Sequence, residues 1–404
     1  MIYSLPRLLS ATESQNGEGT IVKVVIIDSI NDVDRDQWDQ LHPQGVFRSH
    51  GWLTVMEQTM LTTSRPRYFT VHANNTLVAG AVCYILKKSA RNSMLDSCMF
   101  GRFKKQAQRI GFSFLPSLVC CPTKGVGLHL FSRKDLPRPE RQQAIHDLLA
   151  AIELEAAANN MAVCFNNVLG DETELVKILE GNGYHRSLSF PLNTINIQWP
   201  DFAGYLQHTR RINNSKKYDK KVIVHEMNRN RKSGVIIEEI QDPAPEQDRL
   251  FNLLSRNYRG HNQIPFPFRP NFLSCVKDNL GENAIILRAR KNGKINGVIL
   301  ILKWEQTWYC TMIGIDHELS GNDFTYFNLA YYRPIADAIA AGAHTIFYGS
   351  GLNKTKARRG CTARRTYVYY KSHRRLQQIL LRPWFSFHRN WYEKKLSHSL
   401  SLTG

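Results

Sequence analysis

The stretch that most constrains the fold runs over residues 307–371. It opens TWYCTMIGID, an apolar run suited to a buried strand, and the polar loop HELSGND follows. Next comes FTYFNLAYYRPIADAIAAG, with apolar residues at helical spacing and a closing glycine. HTIFYGSG then reads as a second buried strand that leaves through two glycines. Strand, loop, helix and strand make a βαβ unit, and its crossover sets the two strands parallel. Ligands of such units sit beyond the strand carboxyl ends and at the helix N-terminus. Both places are polar: Asp316, His317, Ser320, Gly321 and Asn322 after the first strand, residues 349–360 after the second.

The same order of elements occurs earlier in the chain. Residues 21–28 read as a strand, and Ser29 has the side chain to cap the helix that carries Trp38 and Leu41. Residues 47–57 start another helix. Residues 68–73 and 77–86 form a hairpin about Asn74-Asn75. A strand over 112–119, a long amphipathic helix over 138–160 and a strand over 161–168 follow. A short helix over 173–180 ends in Gly181-Asn182-Gly183-Tyr184, and a strand over 194–199 closes this half. In the second half a helix over 247–258 and a hairpin over 284–290 and 295–304 precede the βαβ unit. The halves share a plan and almost no letters. The expected architecture is α/β (α+β), in tandem domains that are each a mixed twisted sheet flanked by helices. The expected boundaries are a flexible tail at 1–20, a first domain at 21–200, a second at 201–375 and a basic aromatic segment at 376–404.

The formal charge of +19 calls for an anionic partner. Two clusters carry much of it. Residues 210–232 hold nine Lys/Arg against two acids, and residues 354–375 hold nine with no acid. If both face one groove they focus their field on an anionic donor or acceptor; a solvated basic helix is the plain alternative. The eight cysteines form no CxxC pair, so buried reduced thiols and no metal site are expected. The N-terminus lacks a signal peptide's basic start and long apolar core, and no run of about 18 apolar residues occurs. A cytoplasmic location is expected. Trp384, Phe385, Phe387, Trp391 and Tyr392 among Lys and Arg suit either peripheral membrane contact or a terminal helix docked on the second domain. No GxSxG, P-loop, HExxH or strand-linked GxGxxG is present, so hydrolase, kinase and dehydrogenase readings have no anchor.

Three features together resemble the GNAT acyltransferase superfamily, above all its Fem-type peptidoglycan aminoacyltransferase branch and the BioF-like acetyltransferase domains. They are Tyr348-Gly349-Ser350-Gly351 ending a strand, Lys356-x-x-Arg359-Gly360 just beyond, and the basic helix upstream. The resemblance implies an N-acyltransferase that makes an amide on an amine, in cell-wall, envelope-glycan or small-metabolite biosynthesis. No tightly bound cofactor is expected; the donor is an acyl-CoA or other thioester, or an aminoacyl-tRNA. A non-catalytic RNA-binding protein on the same scaffold is the competing reading.

Amide formation needs an aimed, neutral amine, a proton acceptor and a donor for the oxyanion. Asp316 and His317 are candidate bases, or simple helix caps. Tyr348 is a candidate proton donor. Lys356 and Arg359 offer fixed positive charge. Tyr326, Asn328, Gly349, Ser350, Arg210, Arg211, Lys216 and Lys217 are candidate substrate contacts. The acetyl-CoA enzymes of the superfamily carry a Q/R-x-x-G-x-G/A loop. Here the matching place reads Glu318-Leu-Ser-Gly-Asn-Asp-Phe: only Gly321 remains, and Asp323 would repel a phosphate at a helix start.

Overall fold

The computed structural model describes residues 7–8, 22–41, 45–61, 64–87, 94–109, 112–120, 129–215, 217–262 and 264–400. In chain order the strands are β1 Arg7–Leu8, β2 Val22–Ile27, β3 Arg65–Ala73, β4 Thr76–Leu86, β5 Ser117–Cys120, β6 Leu130–Ser132, β7 Ala162–Leu169, β8 His185–Leu188 and β9 Leu192–Asn196. They continue with β10 Val235–Glu239, β11 Ala284–Lys291, β12 Lys294–Trp304, β13 Thr307–Ile315, β14 Thr345–Phe347, β15 Thr362–Arg364 and β16 Thr366–Lys371. They form two mixed sheets. One has the order β1-β2-β3-β4-β5-β7-β16-β8, with β6 beside β4; the other has the order β10-β11-β12-β13-β14-β9-β15.

Each sheet is antiparallel except for one pair, β5 with β7 and β13 with β14. Those are the two βα crossovers read from the sequence, because a strand that returns through a helix re-enters in the same direction. In the first unit the helix Arg138–Ala158 lays Leu148, Leu149, Ile152 and Ala156 on the sheet. In the second, Leu329, Ile335 and Ala338 do the same from the helical run 325–340. That run widens to a π-turn over Asn328–Tyr332, directly before Pro334. Proline has no N–H for the carbonyl one turn back and its ring crowds it, which accounts for the wider turn.

The sequence boundaries at 200 and 375 do not match how the strands are shared. The compact units are Met1–Glu57, Thr62–Phe190 and Arg365–His398 on one side, and essentially Pro191–Arg364 on the other. β9, expected to close the first half, pairs with β14 and β15 in the second sheet. β16, expected in the second half, fits between β7 and β8 of the first. The boundary at 200 thus moves back to about 190, and β16 returns from beyond the second unit to the first sheet. The reason is in the burial pattern. Thr366, Val368, Tyr369 and Tyr370 are buried, a strand covered on both faces, and the first sheet offers an unpaired edge of β7 on which to cover it.

Other expectations shift. The strand at 112–119 is reduced to β5; Phe114 and Leu115 are buried without joining it. Of the tail at 1–20, Arg7 and Leu8 pair with β2 and the rest lies outside the described residues. The C-terminal segment forms a helix, Arg375–Leu400, whose Leu381 and Phe385 join Phe114 and Tyr370 of the first unit, not the second.

β13 is kinked where it matters. Leu300 opposes Met312 and Ile301 opposes Cys310, so Thr311 is an extra residue, a β-bulge. Two residues before it the pairing with β14 ends, at Tyr309 with Phe347. β13 runs on to Ile315, beyond the end of β14.

Gly314 shows how closely the helix Gln247–Asn262 crosses β13. A Cβ there would lie 2.4 Å from the carbonyl carbon of Leu253 and 2.6 Å from the Leu254 nitrogen, both backbone. Gly314→Ala should therefore cost about 3 kcal/mol of stability through overpacking, read as a lowered midpoint in chemical denaturation.

Candidate functional site

The site is built on the chain that leaves β14. Past the stacked rings of Tyr309 and Phe347, 5.1 Å between centroids, the backbone turns through Gly349 at φ +65°, Gly351 at +80° and Leu352 at +50°. Two glycines make those left-handed turns accessible. The turn aims three successive carbonyls at one cation. Lys356 Nζ donates to the carbonyl oxygens of Tyr348 (2.7 Å), Gly349 (3.1 Å) and Ser350 (3.0 Å). Burial pushes the Lys356 pKa down, to about 8. Three acceptors around an ammonium favour the charged form, so the group stays a cation at neutral pH.

In a planar trans peptide the C=O and the following N–H point in opposite directions. Carbonyls 348, 349 and 350 face Lys356, so the amides of Gly349, Ser350 and Gly351 face away from it. Ser350 and Gly351 are exposed there, and a Cβ on either glycine would meet no atom within 4 Å. The turn thus offers a row of N–H groups to open space. Asn193 of β9 also holds the carbonyl side of the turn. Its carbonyl accepts from Tyr348 N, and its N and Nδ2 donate to the Gly349 carbonyl, each at 3.0 Å.

Arg359 lies inside. It pairs with Glu226 (2.9 and 3.1 Å) and donates through Nε to the Tyr332 hydroxyl, which in turn donates to Glu226. Its guanidinium lies 3.7 Å from the Phe327 ring centroid. Burial opposes this charge, yet Tyr332 and Glu226 outweigh it and raise the Arg359 pKa. Tyr205 Oη donates to the Arg359 carbonyl (3.2 Å) and Asn213 to that of Arg358 (2.8 Å), tying the Lys-x-x-Arg-Gly turn to the helix Phe202–Ile212.

A family model described as peptidoglycan biosynthesis/recognition, FemAB-like, matches residues 29–400. The chain belongs to the FemAB-like family. Among solved structures, FemX superposes with a TM-score of 0.52 at 10% identity, over 86% of this chain and 98% of that one. That likeness shows a shared fold. A tandem GNAT protein from the clavulanic acid biosynthesis pathway (10% identity, 87% and 98% covered, TM-score 0.46) and L-PGS from Bacillus licheniformis (14%, 82% and 95%, 0.48) are more distant in shape. No curated protein matches the chain significantly.

Within this FemAB-like protein the candidate residues divide into groups. Lys356, Arg359, Tyr348, Gly349 and Ser350 come together as described. Tyr348 stacks on Tyr331 at 4.9 Å, and burial holds its phenol well above the ordinary range. Tyr326 is half-buried and its phenol too is raised by burial. Asn328 is buried and donates to the carbonyls of Glu226 and Phe324, a structural use. Asp316 and His317 stand apart. Asp316 caps the short helix after β13 through the Leu319 amide and pairs with Arg249 at 2.7 Å. That guanidinium holds its carboxyl below the ordinary value, which makes it a poor proton acceptor. It lines a cavity of about 670 Å³ with Arg249, Arg290 and Lys294. His317 is exposed beside it. Arg210 pairs with buried Asp219 at 2.7 Å; Arg211 and Lys217 are exposed; Lys216 lies outside the described residues.

The start of the helical run at Thr325, where acetyl-CoA enzymes would seat a pyrophosphate, is filled from within. Asp323 is buried, accepts from Thr325 N (2.9 Å) and Oγ1 (2.6 Å), and pairs with Lys291 at 3.0 Å. A carboxylate already satisfies that end, so a phosphate there would meet a fixed negative charge. Among the described residues no cluster suits a metal ion, and no helix is long and apolar enough to cross a membrane.

Sequence reading missed Glu226, Asn193 and Tyr332. Glu226 did carry a signal, as one of two acids inside a basic run. Removing its charge should expose the dependence on it. Glu226→Gln leaves Arg359 buried without a counter-ion and should cost about 3–5 kcal/mol, measured by chemical denaturation.

Proposed function

We propose that this protein is an aminoacyltransferase of peptidoglycan biosynthesis, taking its acyl group from an RNA-linked ester and placing it on an amine of a cell-wall precursor. The observation that carries the reaction type is the outward row of amides at Gly349, Ser350 and Gly351, set just past the point where the pairing of two parallel strands ends. The amine nitrogen attacks the ester carbonyl. Negative charge develops on the carbonyl oxygen, and the amide row stabilises it. The carbon–oxygen bond to the ribose then breaks, the proton lost by the attacking nitrogen passes to the ribose oxygen, and the amide remains.

Family membership supports the cell-wall setting. Asp323 at the helix start supports a donor without CoA. Lys356 is a positioning residue in this scheme: it grips the carbonyl side of the turn so that the amide side stays aimed. Arg359 fixes the turn from below, and neither cation need touch substrate.

The test is transfer by the purified chain from charged tRNA, and separately from acyl-CoA, to nucleotide- or lipid-linked peptidoglycan precursor. Product from charged tRNA alone is the expected result. Product from acyl-CoA would overturn the donor assignment, and product from neither would overturn the reaction. Lys356→Met should lower kcat about 100-fold, the scale of losing an oxyanion donor, with KM for the acceptor within about threefold. Lys356→Arg should recover part of the rate, since it restores a cation for the carbonyls.

A further inference from the structure

The segment from Lys217 to Lys232 joins a π-turn, Asp219–Val224, to the helix His225–Lys232. Its inward face is Asp219, Ile223, Glu226 and Asn230, all buried. Both acids of the segment are on that face, and each is answered internally, Asp219 by Arg210 and Glu226 by Arg359. Asn230 donates to the Asp323 carbonyl at 2.9 Å. What remains outside is cationic: Lys217, Lys220, Lys221, Arg229, Arg231 and Lys232 are exposed. Among the described residues none of these six takes part in a salt bridge; Arg231 has only a long contact to Asn228 Oδ1 (3.5 Å). Folding has separated the charges of one segment, acids in and bases out.

We infer that this outer face binds the sugar-phosphate backbone of a structured RNA. The reading rests on the RNA-linked donor proposed above and names where that RNA is held. Three physical points select the partner. Fifteen helical steps at about 1.5 Å spread the cations over about 20 Å, too far apart to converge on one phosphate and well suited to a succession of them. No large apolar residue is exposed between 217 and 232, whereas a helix that lies in a membrane surface needs an outward apolar face. Here Tyr218, Ile223 and Met227 pack into the core of the second unit. The segment that carries this face also packs on the candidate site through its inner side, where Glu226 is the partner of Arg359, and Asn213 just before it holds the Arg358 carbonyl.

The test uses the full chain and a fluorescently labelled, uncharged tRNA transcript, with binding followed by anisotropy from 50 to 300 mM salt. The variant Lys220→Gln/Lys221→Gln/Arg229→Gln/Arg231→Gln should bind at least tenfold more weakly. The slope of log affinity against log salt should fall by about 3, from roughly 0.7–0.9 for each phosphate no longer neutralised. The variant Lys134→Gln/Arg138→Gln/Arg141→Gln/Lys177→Gln, on the first unit, should match wild type. In the transfer assay the first variant should raise KM for charged tRNA and keep kcat. Unchanged affinity and slope, or an equal loss in the first-unit variant, overturns the proposal. So does tRNA binding indifferent to these residues alongside phosphatidylglycerol-vesicle binding that needs them. If the wild type binds tRNA through this face and transfers nothing from it, the binding surface stands and the proposed reaction fails.

Discussion

The ion pair between Arg359 and Glu226 is the constraint on which the second unit is arranged. A guanidinium in a low-dielectric interior is tolerable only with a carboxylate and further hydrogen bonds to complete its shell. Glu226, the Tyr332 hydroxyl and the Phe327 ring supply these. They come from the basic helix and from the central helical run, so one charge fixes three separate pieces of chain. Lys356 is three residues before Arg359, and its grip on the carbonyls of the Gly-Ser-Gly turn depends on where Arg359 anchors the backbone. Positive charge has thus become scaffold: the two cations a sequence reader would place against a substrate face inward, and backbone amides face out instead.

That displacement shows what was legible and what was not. Periodicity and turn residues located the two hairpins, the long helices and the strands on either side of them, because apolar spacing reports burial directly; short elements such as 130–132, 235–239 and 272–280 went unread. The parallel pair followed from the length of its crossover. The clusters of Lys and Arg were visible, as was the conflict of Asp323 with a bound phosphate. The direction a charged side chain takes was not visible. Lys356 and Arg359 are written in the same letters as exposed Lys354 and Arg358, and only the tertiary positions of Glu226 and three carbonyls decide which of them turn inward. The place of β16 was hidden for a related reason. Residues 366–371 read equally well as a strand of either sheet, and pairing over such a separation leaves no local mark. The role of Asn193 depends on β9 joining the second sheet and was hidden in the same way.

Asp316 illustrates the opposite case. Its place at a strand carboxyl end is legible in the sequence, and so is its capacity to cap a helix. Its pairing with Arg249 makes the carboxylate stable and weakly basic. A transfer in which the leaving ribose oxygen itself accepts a proton has little need of a strong protein base, and the ion-paired Asp316 is a weak one.

The return of β16 has a consequence for how the protein is made. β16 pairs Thr366 with Leu169 and Lys371 with Val163, so a strand in the middle of the first sheet emerges from the ribosome about 200 residues after its neighbour. Until then β7 and β8 flank a gap, and a nascent chain carries an incomplete sheet through the synthesis of the whole second half. Contacts that close over so long a loop form slowly. The first unit is incomplete until β16 is made, whereas the continuous stretch 191–364 carries every described strand of the second sheet.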